Sequence, residues 1–69
     1  MHILIQRRNE LVLQAMLPYI EERFPDQSWY VESAPKTSLY QEYRIVSKKA
    51  PSDFMLGYAE ALALIVVIK

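Results

Sequence analysis

The side chains capable of chemistry in this chain are scattered. His2 is the only histidine and there is no cysteine, so a metal site has almost no nitrogen or sulfur ligands to draw on. Ser28, Ser33, Ser38, Ser47 and Ser52 fall in stretches that read as turns, strands or caps. A serine becomes a nucleophile only beside a base, and no imidazole is placed to activate any of the five. Glu21 and Glu22 are adjacent, and neighbouring side chains on a helix diverge by about 100°, so the pair does not share one site for acid–base work. Gly57 is the sole glycine, which rules out a glycine-rich phosphate loop. The expectation is a protein that is not an enzyme and carries no cofactor and no metal.

Two constellations remain. Tyr30 and Tyr40 with Arg44, Lys48 and Lys49 put aromatic planes beside cations, a combination that stacks bases and holds phosphates. Glu32 and Glu42 share their face, however. The eight basic residues of the chain are balanced by eight acidic ones, and a neutral chain lacks the basic field that general nucleic-acid binding needs. Surface tyrosines on a hairpin also serve cross-strand packing or a protein interface. The second constellation is the stretch Phe54–Lys69, which holds Glu60 and no other charge before Lys69. On a helical wheel Phe54, Met55, Tyr58 and Leu62 face inward and Asp53, Gly57 and Glu60 outward. Beyond Ala63 the outward sector turns apolar at Leu64, Val67 and Ile68. Gly57 and Ala61, four apart, make a smooth patch that another helix could approach closely.

These residues belong to a chain with little core to spare. At 69 residues and 8.1 kDa the surface scaling gives roughly 4,500 Å² folded against about 11,700 Å² unfolded. The apolar share of 52% exceeds what a core of that size holds, which implies an interface with another chain. A signal peptide is not expected, since Met1–Ile5 is a short apolar stretch and Arg7-Arg8 follow it instead of preceding it. Absence of cysteine favours the cytoplasm. The final apolar run is too short for a membrane span: fifteen helical residues cover about 22 Å, and the hydrocarbon core needs about 30 Å.

Pro25, Pro35 and Pro51 divide the chain into three segments. The first reads as a helix over about 3–24, with Ile5, Val12, Met16, Tyr19 and Ile20 on one side, Leu13 and Phe24 flanking, and Pro18 near the polar sector. Asn9 offers an alternative start, leaving Met1–Gln6 as a strand or tail. Phe24 and Trp29, flanking the turn that follows, are expected to anchor the core. The middle segment, about 28–48, alternates in two runs, Trp29–Ser33 and Leu39–Ser47, with a turn composition at 34–38 between them. Leu39, Tyr43 and Ile45 share the packed face of the second run; Tyr40, Glu42, Arg44, Val46 and Lys48 share the wet one. Ser52 or Asp53 caps a last helix over about 52–66, with Ile65–Ile68 open to a strand instead.

The fold expected is therefore α+β, a single small α-β-β-α domain over residues 1–69. Two helices pack on one face of a hairpin whose free edges let a second copy complete a four-stranded sheet across a dimer. Its α-β-β-α order is similar to that of the small head–tail joining proteins of tailed phages, on element order and not on motif residues; that resemblance implies a structural assembly subunit as one role. The role expected first is a non-catalytic interaction or regulatory protein, a homodimer that binds a surface of a larger protein. Tyr30, Tyr40, Arg44 and Val46 would make contact from the sheet, and Leu64, Val67 and Ile68 from the last helix. A nucleic-acid-binding module using the hairpin face is the other alternative.

Overall fold

A computed structural model describes residues 2–35 and 39–68, with side chains described through residue 67. Its elements run β1 (His2–Arg7), α1 (Glu10–Arg23), a 3₁₀ turn (Pro25–Gln27), β2 (Tyr30–Ser33), β3 (Tyr43–Ser47) and α2 (Asp53–Ile68). The three strands form one antiparallel sheet in the order β1-β3-β2. The fold is α+β as expected, with one strand more.

That strand corrects the helix expected over 3–24. Residues 2–7 are extended, and the first helix starts at Glu10. Asn9, extended at φ −89°, caps it by accepting a hydrogen bond from the Leu11 amide at 3.0 Å. A short apolar run such as Ile3-Leu4-Ile5 fits either a strand or a helix turn by periodicity. The decision is tertiary: as a strand, the run pairs with the free side of β3, which a two-stranded hairpin would leave open. Ile3 pairs with Val46 and Ile5 with Ile45, so Leu4 is an extra residue in a β-bulge. The bulge breaks strict alternation, and Leu4 and Ile5 are both buried.

With Ile5 in the sheet, the inward stripe of α1 is Leu13, Met16 and Ile20, all fully buried. Tyr19, expected on that stripe, is half exposed instead. Pro18 is exposed, where its missing amide costs the packing nothing. The chain then turns sharply: Ser28 adopts a left-handed conformation at φ 58°. The buried Trp29 donates its indole N–H back to the Phe24 carbonyl at 2.9 Å, locking helix end to strand start.

The second strand of the hairpin is shorter than its composition suggested. It begins at Tyr43, and Leu39, expected on the packed face, lies outside it at 86% exposed. Beyond the ladder, Ala34 donates its amide to the Glu42 carbonyl at 2.9 Å. The Gln41 side chain closes this corner, donating to the Ala34 carbonyl at 2.6 Å and to that of Glu42 at 2.9 Å. Residues 36–38 of the expected turn lie outside the described residues.

Ser52 starts α2, its hydroxyl accepting from the Met55 amide at 3.3 Å. The helix continues through Ile68, so Ile65–Ile68 is not a strand. Its innermost residues are Ala59 and Ala63, and Met55, Leu56, Tyr58, Leu62 and Val66 pack around them. Phe54, expected to face the core, is 61% exposed. At about 100° per residue Phe54 falls on nearly the opposite side of α2 from Ala59 and Ala63. The two helices lie antiparallel on the sheet, α1 against β2 and β3, α2 against β1.

Candidate interaction surfaces

The sheet face away from the helices carries two cross-strand rows. Ile3, Val46 and Tyr30 form one; Gln6, Arg44 and Glu32 form the other. Val46 is fully buried, so it cannot contribute to an exposed contact there. Arg44 is held by Glu32 at 2.6 Å, with both side chains about one-fifth exposed. Gln6 donates to Glu42 at 2.8 Å. Direct pairing across adjacent strands gives the Arg44–Glu32 contact its geometry, since opposed residues on one face sit within reach of each other. Tyr30 and Tyr40 are each about two-fifths exposed. Tyr40 is not on a strand, and the Arg8 guanidinium lies 3.6 Å from its ring centroid, covering one of its faces.

On the helical side the exposed apolar surface is larger. Leu64, at 68%, and Val67 are exposed as the wheel indicated, and the side chain of Ile68 lies outside the described residues. Leu11, Tyr19, Phe54 and Ile65 join them. Sequence reasoning missed these four because it took the helix start and the inward stripes from periodicity alone. Setting the first helix at the Asn9 cap drops Ile5 from the wheel and rotates the inward stripe of α1 away from Tyr19. Between the helices runs an open seam, with a depression of about 310 Å³ lined by Ala15, Tyr19, Leu62, Ile65 and Val66. A second, of about 570 Å³, lies beside Arg7, Arg8, Val12 and Val67. The far end is aromatic: Phe24 meets Phe54 and Tyr58 edge-on, with centroids 5.9 and 5.4 Å apart.

The buried polar side chains among the described residues are matched within the chain. Glu60 is bound by Arg7 at 2.6 Å, tying α2 to β1, a pair that the sequence could not anticipate while residue 7 was placed in a helix. Ser47 is fully buried and donates to the Lys49 carbonyl at 2.6 Å. No buried side-chain oxygen or nitrogen among the described residues lacks a partner. His2, Ser28, Ser33 and Ser52 are exposed on separate elements. Among the described residues no three acids or histidines gather in a metal-holding group, and no helix is long and apolar enough to cross a membrane.

Comparison with protein-family models, with curated proteins and with solved structures found no match.

Proposed function

We propose that the chain is a non-catalytic interaction protein of the inhibitor or adaptor type, a cytoplasmic homodimer that works by occupying a surface of a larger protein. The observation that carries this reading is the outer face of the helices. It presents large apolar side chains to solvent, and the Glu60 carboxylate on the same helix is already held by Arg7. Exposed apolar patches of this extent mark contact sites in small soluble proteins.

The sheet face supplies a second, more polar surface through Tyr30, Tyr40 and Ile3, and this is the side assigned to the larger protein. Its geometry favours a protein over a nucleic acid as partner. Arg44 is engaged by Glu32, and one face of Tyr40 is covered by Arg8, which removes a phosphate contact and a stacking surface.

Photo-cross-linking in the source cell from Tyr30, repeated from exposed Leu39 as a control, tests the assignment. One recurrent protein adduct from Tyr30, retained at high salt and absent from Leu39, is the expected result. An adduct to nucleic acid, or binding that falls steeply with added salt, would replace this reading with the nucleic-acid module.

A further inference from the structure

The outer face of the helical layer has matched large and small positions. Leu11, Tyr19, Phe54, Leu64, Ile65 and Val67 are each more than half exposed. At about 150–200 Å² per large side chain, they leave on the order of 600 Å² of apolar area uncovered, most of the roughly 800 Å² per partner that a stable dimer buries. Among them lies a gap: a Cβ added at Gly57 would meet nothing within 4 Å.

We propose, building on the homodimer reading above, that this face is the contact between two copies. The α2 helices cross antiparallel about a two-fold axis that passes between Glu60 and Ala61, and Leu64 of each copy sits over Gly57 of the other. The spacing supports this occupant. Gly57 and Leu64 lie two turns apart on the outward side of one helix, with the exposed Ala61 between them. A two-fold axis between those positions brings each large residue onto the small one opposite, which is how an isologous interface satisfies both copies at once. An unrelated partner would gain nothing from that internal match.

Charge agrees. Glu60 is the one acidic side chain between Asp53 and the end of α2, and Arg7 holds it at 2.6 Å. A crossing centred between Gly57 and Leu64 therefore meets a carboxylate that is already matched. The chain as a whole is neutral, so two copies approach without net repulsion.

The absence of cysteine makes the geometry directly testable. Light scattering is expected to give a dimer for the natural sequence. Leu64→Lys places an ammonium in the contact, and Gly57→Leu fills the slot. Each should raise the dimer dissociation constant by about 100-fold or more, with the circular dichroism of a folded chain retained. Gly57→Leu should also leave the separated monomer no less stable, since leucine is the better helix former. Under mild oxidation Ala61→Cys should form an interchain disulfide, and Ser33→Cys on the β2 edge should not. A dimer that survives both Leu64→Lys and Gly57→Leu, or one cross-linked through Ser33→Cys and not Ala61→Cys, overturns this face and leaves the homodimer standing. A natural sequence that stays monomeric at high concentration overturns the homodimer itself.

Discussion

Val46 and Leu39 show at single residues how pattern and burial part company. Both sit in the run that alternates from Leu39 to Ser47, one assigned to the wet face and one to the packed face. Val46 does lie on the face away from the helices but is sealed there between Ile3 and Tyr30, and Leu39 is 86% exposed. Val46→Asp would bury a carboxylate with no partner, at a cost of several kcal/mol, and should abolish cooperative folding. Leu39→Asp should shift stability by no more than about 0.5 kcal/mol in the same urea titration. The two ion pairs differ in the same way. Arg44 and Glu32 are directly opposed across β2 and β3 and mostly shielded. A double-mutant cycle with Arg44→Met and Glu32→Gln should return a coupling of about 0.5–1 kcal/mol. The Arg7–Glu60 pair is equally short at 2.6 Å but 41% and 63% exposed. Its cycle should return little and fade in salt, because exposed pairs are screened and entropically costly.

Among the elements, the deciding feature is where α1 begins. Asn9 satisfies the Leu11 amide, and five of the six residues of β1 before it pair with β3. Asn9→Ala should therefore cost about 1 kcal/mol of stability, with Asn9→Asp restoring it. Thermal or urea unfolding reads this directly. Had residue 9 lain inside a helix running from residue 3, alanine there would have stabilised the chain, so the sign of the effect separates the two arrangements. The strand matters beyond its own residues. It fills one edge of β3, makes that strand central, and gives α2 a surface to pack on. Because β3 is paired on both sides within one chain, the sheet edges that a second copy could extend are those of β1 and β2.

The molecule as a whole is compact for its length. Its radius of gyration is 11.5 Å, close to the value of about 11 Å expected for 69 residues. Its accessible surface, 4713 Å², is near the roughly 4,500 Å² that size scaling gives. The apolar surplus is therefore not hidden by loose folding or spread through an extended shape; its larger part lies on the helical face. A chain that associates through that face gains stability by mass action, so its melting temperature should rise with protein concentration. In the Leu64→Lys variant that dependence should vanish. Calorimetry over a hundredfold concentration range distinguishes the two.

How much of this was legible depends on how local each signal is. Proline positions marked the segment breaks, serine and aspartate marked the start of α2, and β-branched and aromatic residues marked the hairpin. All three act within a few residues, and all are visible in the sequence. The neutral charge and the apolar surplus are likewise properties of composition, as is the outward turn of Leu64 and Val67. The state of residues 2–7, the burial of Val46, the rotation of Phe54 outward and the Arg7–Glu60 pair were decided only in three dimensions. Each rests on partners from distant parts of the chain: β3 for the strand, Ile3 and Tyr30 beside Val46, Phe24 against the ring of Phe54, β1 for Glu60. Local propensity selects which conformations are open to a segment. Which one it takes is set by the unpaired edge or uncovered apolar face that the rest of the chain presents to it.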